Sequence, residues 1–239
     1  AIAADPTLAE AYAALAQLAV AVQPRDIEEG IRQSELAVKA NRDNMSGHRM
    51  LGRLFTVKSR LNNGPLDRPF AAKASAAWRE VARLDPRNAE AWAFLSAFAE
   101  ANGNVSEQVE AVKKWVSAAP PADVGFYEGT MGGASLTPEA ANLKLASILA
   151  RTGKPAEAAS ILSRLISDDP ENAEAISVLG EIADSVEGDS AQTIAGALKQ
   201  AVYANPGNVT LTDTLARLLA RLNAFDEAAN LLKRNIALL

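Results

Sequence analysis

Asp85-Pro86-Arg87-Asn88-Ala89-Glu90 is a short polar phrase in an alanine-rich chain, and it recurs. It returns as Asp169-Pro170-Glu171-Asn172-Ala173-Glu174 and as Asp5-Pro6-Thr7-Leu8-Ala9-Glu10. Weaker copies are Asn41-Arg42-Asp43-Asn44, Pro120-Pro121-Ala122-Asp123 and Asn205-Pro206-Gly207-Asn208. With the proline position as marker, the copies stand at 6, 42, 86, 120, 170 and 206, at intervals of 36, 44, 34, 50 and 36. Self-similarity at a fixed period is the signature of a repeat architecture. Here the period is near 34, with two enlarged repeats.

The sequence between markers has helical spacing. Before each marker lies a stripe with small residues on it: Gly30, Ser34, Ala37; Ala74, Trp78, Val81; Ala158, Ile161, Leu165; Ile194, Leu198, Ala201. After each marker comes a bulky residue, then Leu and a small residue: Tyr12-Leu15-Ala16, His48-Leu51-Gly52, Trp92-Leu95-Ser96, Ile176-Leu179-Gly180. Steps of three and four put each set on one helical face, where the small residue admits a neighbouring helix and the bulky ones fill the space around it. Asn44, Asn88, Asn172 and Asn208 stand where a first helix should start, and Asn is a good N-cap. Thr137-Pro138-Glu139 signals a start through Pro at the first helical position and an acid in the first turn. Asn102-Gly103, Thr152-Gly153 and Glu187-Gly188 fall where one helix ends and turns back. Each repeat therefore reads as a helix–turn–helix hairpin, and the fold class as all-α.

The period, the Trp/Tyr-x-x-Leu-Gly/Ala phrase, the mid-repeat alanine and the closing Asp-Pro resemble the tetratricopeptide repeat (TPR) family. The resemblance spans nearly the whole chain as one domain, 1–239, with repeats at 9–42, 45–86, 89–120, 139–170, 173–206 and 209–239, and 1–6 as the tail of a preceding repeat. Gln108 departs from the mid-repeat alanine, and Asn142 and Thr212 from the aromatic. The resemblance implies a right-handed α-solenoid of antiparallel helix pairs, a TPR-like superhelix whose first helices line a concave groove. On that groove it places Gln17, Arg49, Arg53, Glu100, Ser147, Arg151, Glu181, Asp184, Arg217 and Arg221. Members that grip the acidic tails of heat-shock chaperones use a Lys and an Asn. Ala13 and Gln17 hold the corresponding positions here, which argues against that role. Arg49 and Arg53, four apart on one face, suit a carboxylate or phosphate.

Two stretches exceed the period, around 58–69 and 121–136. By the alternation of turns in such an array they should project from opposite edges. The second carries Phe126, Tyr127 and Met131 among Gly125, Gly129, Gly132 and Gly133, so Phe126 and Tyr127 are candidate loop contacts to a ligand. Neither end carries a polar capping helix, and the chain starts without Met, so it reads as a segment of a longer repeat protein, with self-association through bare terminal helices as the alternative.

Composition excludes much chemistry. The 239 residues contain no cysteine and one histidine, with 50 alanines and a net charge of −5. No thiol nucleophile, disulfide or Cys-ligated metal is available, and no site needing two imidazoles. Net acidity argues against nucleic acid as a partner. The most apolar stretch, Ala11–Val22, is too short to span a bilayer and follows no basic segment, so neither a membrane span nor a signal peptide is expected. Arg49–Arg87 holds nine basic and three acidic residues, whereas Asp168–Asp189 holds eight acidic and none basic. Such asymmetry can steer a charged partner. His48, Trp78 and Trp115 occupy packing positions, and the acids belong to caps and helix surfaces. No cofactor, metal or catalytic set is expected. The reading is a non-catalytic scaffold that binds a protein or peptide in its groove. The alternatives are a structural segment of a bacterial envelope or secretion assembly, or a regulatory repeat domain beside a separate catalytic one. Cytoplasm and periplasm stay open.

Overall fold

The computed structural model describes residues 8–236, and every regular element among them is a helix. The expectations placed on 1–6 and 237–239 lie outside the described residues. In chain order the helices are α1 (Ala9–Ala21), α2 (Ile27–Ala40), α3 (Met45–Ser59), α4 (Arg68–Leu84), α5 (Ala89–Ala101), α6 (Val105–Val116), the short α7 (Gly125–Thr130), α8 (Pro138–Arg151), α9 (Pro155–Asp168), α10 (Ala173–Ser185), α11 (Asp189–Ala204), α12 (Val209–Arg221) and α13 (Phe225–Ile236). Within the described residues no helix is long and apolar enough to cross a membrane. Contacts divide the chain into two compact units, Ala1–Ala141 and Asn142–Leu239, where the sequence reads as one array. The division follows the longer insertion, which packs back onto the first unit.

The recurring phrase is a joint between helices whose turn and cap bonds are local. The Asp85 N–H donates to the Val81 carbonyl and closes α4. Its carboxylate accepts from the Arg87 N–H at 3.1 Å, and the Asn88 N–H returns to the Asp85 carbonyl at 3.0 Å. Asn88 Oδ1 then accepts from the Ala91 N–H at 3.1 Å and caps α5. Asn44, Asn172 and Asn208 cap α3, α10 and α12 in the same way, at 2.7, 2.9 and 3.0 Å. Such a side-chain cap contributes about 1 kcal/mol. The residue six after the marker adds a bond that the sequence did not suggest. Trp92 Nε1 donates to the Pro86 carbonyl at 2.9 Å, and His48 Nε2 sits 2.8 Å from the Arg42 carbonyl. His48 is buried, while Trp92 is half-buried. The weak copy at Pro120–Asp123 makes no such joint. There Ala119 exchanges backbone bonds with Arg87 and Ala89 at 2.8 and 3.2 Å, and the chain leaves the array.

In the first unit the core is aromatic. Trp78 of α4 and Phe94 of α5 are fully buried and stacked at 4.9 Å, and Trp78 Nε1 donates to Thr56 Oγ1 at 3.1 Å. Gly52 is what lets α4 approach. A Cβ on Gly52 would lie 2.7 Å from the Trp78 ring, which the Phe94 stack and the Thr56 bond hold in place. At Gly180, the equivalent position of α10, an added Cβ would meet nothing within 4 Å, so it is no close-approach site. Gly52→Ala should therefore destabilise by about 1–2 kcal/mol, overpacking outweighing the helix-propensity gain. Gly180→Ala should be neutral or stabilising by up to about 1 kcal/mol. Equal midpoint shifts in urea would refute the distinction.

The second unit has an aliphatic core built on Leu162, Ile166, Leu179, Ile194 and Leu198. One stripe is corrected here. In α9 the buried position eight before the marker is Leu162, with Ile166 beyond it, whereas Ile161 and Leu165 are half-buried. Exposed large apolar side chains gather on α1 and its C-cap (Leu15, Leu18 at 56%, Val22) and on α13 (Phe225, Leu232, Ile236 at 72%), with single ones at Val57, Val105 and Tyr203 elsewhere.

Candidate functional site

In the first unit the candidate residues converge on one cluster. Arg49 and Arg53 sit one turn apart on α3 and face Glu90 in the first turn of α5. Arg49 Nε lies 2.5 Å from Glu90 Oε2, and Arg53 Nε lies 2.7 Å from Oε1. The Glu90 side chain is completely buried, so this acid is not the surface residue that the sequence suggests. The outward guanidinium nitrogens meet the longer insertion. Arg53 Nη1 pairs with Asp123 Oδ2 at 2.8 Å. The Asp123 carbonyl accepts from Arg49 Nη2 at 3.1 Å and from Arg53 Nη2 at 3.3 Å. The arginines thus hold carboxylates, as their spacing suggests, but both acids belong to the chain itself.

The rest of the insertion follows Asp123 down. Pro120 and Pro121 stand between α6 and the insertion, α7 makes less than two turns, and Gly132 and Gly133 turn away at φ of 68° and 90°. Phe126 lies under the Arg53 guanidinium at 5.0 Å and against Phe94 at 5.8 Å. Tyr127 is buried edge-on to Phe94 at 5.1 Å and to Trp115 at 6.1 Å. Trp115 Nε1 donates to the Leu136 carbonyl at 3.0 Å and ties down the far end. The two insertions do not keep to opposite edges, since Asn62 Nδ2 donates to Met131 Sδ at 3.2 Å.

The electrostatics follow from this packing. Burial works against the Arg53 charge, but bonds to Glu90 and then Asp123 outweigh it and raise its pKa above the ordinary value. The bond from Arg53 holds the Asp123 carboxyl below its usual range. Burial, followed by the charge of Glu100, pushes the Tyr127 phenol up to about 12. A raised folded-state pKa stabilises fully below the unfolded value, about 10, and the contribution is lost as pH climbs through the folded value. Unfolding free energy should therefore fall between pH 10 and about 12 by on the order of 2 kcal/mol from this group. Tyr127→Phe should flatten that part of the curve. An unchanged alkaline slope would mean that Tyr127 is not held in its buried site.

In the second unit three candidates meet. Arg217 Nη1 pairs with Asp184 Oδ1 at 3.0 Å, and Arg217 Nε with Asp213 at 3.1 Å, all about half-exposed. Pairs this exposed contribute little to stability. Arg221 donates to the Asp184 carbonyl at 2.8 Å and to the Ala183 carbonyl, so it caps the last turn of α10. Glu181 on α10 and Arg151 at the end of α8 are exposed, as are Gln17 on α1 and Glu100 on α5. Ser147 turns its hydroxyl back to the Leu143 carbonyl at 3.0 Å. Gln17, Arg53, Glu181 and Arg217 all stand eleven residues after their markers, one repeated position on α1, α3, α10 and α12, whereas on α5 that position is the buried Ala97. Among the described residues no three His, Cys, Asp or Glu side chains form a metal-holding group.

Glu90, Asp123 and Phe94 do not stand out as site residues in the sequence. A signal for the first existed: Glu10, Glu90 and Glu174 share a repeat position, and Glu90 alone follows a first helix with arginines at 49 and 53.

Family models of the tetratricopeptide repeat match residues 70–123 and 139–182. Among solved structures, the crystal structure of YrrB, a TPR protein with an unusual peptide-binding site, aligns with a TM-score of 0.55 at 15% identity, over 88% of this chain and 93% of that one. PilW, a widely conserved type IV pilus biogenesis factor, aligns at 0.44 and 16% identity, over 96% and 94%. PilF of Pseudomonas aeruginosa aligns at 0.43 and 15% identity, over 93% and 88%. No curated protein matches the sequence. The likeness to YrrB is one of fold.

Proposed function

We propose that this chain of tetratricopeptide repeats is a protein-interaction scaffold without catalysis, binding a peptide or protein segment along a concave groove formed by its first helices. What carries the reading is the set of charged side chains left at the surface of first helices in the second unit. In the second unit Arg151, Glu181, Asp184, Arg217 and Arg221 remain at the surface of α8, α10 and α12, while the leucines and alanines beside them are buried. A series of charged groups on rigid helices suits an extended ligand, which meets one group per repeat. YrrB, whose fold is similar, carries a peptide-binding site, and the proposal extends that kind of use to this chain.

The test is a photo-crosslinking residue placed at Glu181 on a first helix or at Tyr203 on the second helix α11, where the side chain is 89% exposed. Protein adducts are expected from position 181 and not from 203. Adducts confined to 203, or none from 181, would reject the groove. The exposed Leu15, Leu18 and Val22 support a second contact, self-association through the terminal helices. Leu18→Glu should then shift sedimentation toward monomer, and a wild type that is monomeric throughout would exclude it.

A further inference from the structure

We propose that the Asp123–Phe126 arm is a built-in ligand, and that the Arg49/Arg53 site receives a partner peptide bearing a carboxylate three residues before an aromatic, which displaces this arm. The inference deepens the scaffold reading by naming the ligand chemistry at one place in the first unit.

Three observations support an exchangeable occupant. The receiving half is assembled without the arm. Glu90, fully buried, engages both Nε atoms and so fixes the two guanidinium planes with their Nη atoms turned outward. Two positive charges against one negative leave the pair in need of a further anion, and planar guanidinium forks favour a carboxylate. The aromatic half is also supplied by the array, since Phe126 rests tilted on Phe94 and beneath the Arg53 guanidinium.

At the acidic end of the present occupant the carboxylate is open to solvent, while the Asp123 carbonyl keeps bonds from Arg49 and Arg53. The Asp123 side chain is 63% exposed, and ion pairs of that exposure contribute little. Phe126 is half-buried. Tyr127, by contrast, is buried between Phe94 and Trp115, so the arm can exchange while Tyr127 stays as its anchor.

The entry to the arm carries Pro120-Pro121, which lack N–H groups and fix φ, and the exit runs through Gly132 and Gly133 at positive φ. A tethered ligand competes at an effective concentration on the order of 1 mM. An incoming peptide making the same contacts is therefore disfavoured until it outcompetes the arm or the arm is removed.

The probe is a fluorescein-labelled peptide with the sequence of residues 121–131, tested by anisotropy against the full chain and against an Asp123→Ser/Phe126→Ser variant. Vacating the site should tighten binding at least about tenfold, because the apparent affinity no longer carries the closed fraction. Replacing the peptide's Asp by Asn should weaken binding to the variant about two- to fivefold, the range of a half-exposed ion pair. Equal affinity of wild type and a folded variant, or equal affinity for Asp and Asn peptides, would overturn the proposal. If the variant loses its helical circular dichroism, wild type answers instead through hydrogen exchange. Amides of 123–126 should exchange faster with the peptide at millimolar concentration, and unchanged exchange would overturn the proposal. Crosslinking at Glu181 reports on the other unit, so failure of either experiment leaves the other reading standing.

Discussion

Glu90→Gln is expected to destabilise the first unit by about 3–5 kcal/mol, the cost of removing one partner from a buried ion network. The substitution keeps size and shape, so packing is not what changes. It leaves two guanidiniums facing a neutral amide in a site where Arg53 is only 13% exposed, with Asp123 as their remaining counter-charge. Urea denaturation followed by Trp fluorescence measures the loss. Combining it with Arg53→Met should recover part of that loss, because the second change removes the orphaned charge. A loss below about 1 kcal/mol would mean that water screens the cluster and that Glu90 is not its keystone.

Phe94→Ala should cost a similar amount, about 3–5 kcal/mol, by cavity formation. Phe94 is fully buried, and three aromatic side chains rest on it: Trp78 from one side, Phe126 and Tyr127 from the other. Its removal acts on two levels at once, opening the core between α4 and α5 and removing the floor under α7. Faster hydrogen exchange across residues 123–131 should therefore accompany the drop in stability. A stability loss with unchanged protection there would show that α7 is held by Trp115 instead.

The helices were legible because their signals are local. Asn44, Asn88, Asn172 and Asn208 read as caps and act as caps, since an N-cap needs only the next three residues. Arg49 and Arg53 were legible as a carboxylate site for the same reason, being one turn apart on one helix. Their partners were not. Glu90 is 37 residues beyond Arg53 and Asp123 is 70 beyond, in an insertion outside the period. Periodicity locates residues that repeat and is silent about what does not. Gly52 and Gly180 make the same point inside the repeat: they are identical in register, yet a Trp faces only the first.

The joint at Asp85–Asn88 has a consequence for how such a chain can change over generations. Its capping bonds open and close within a few residues of the proline, while Arg87 and Ala89 reach across to Ala119. A genetic crossover between two such phrases would therefore carry the caps across intact, and only the bonds to distant residues such as Ala119 would have to be replaced. Gain or loss of a whole repeat then leaves the helix caps undisturbed, and selection judges it chiefly on the helix faces it brings together. Where the phrase degenerates, at Pro120-Pro121, no such joint forms, and there the chain has acquired a segment with its own partners.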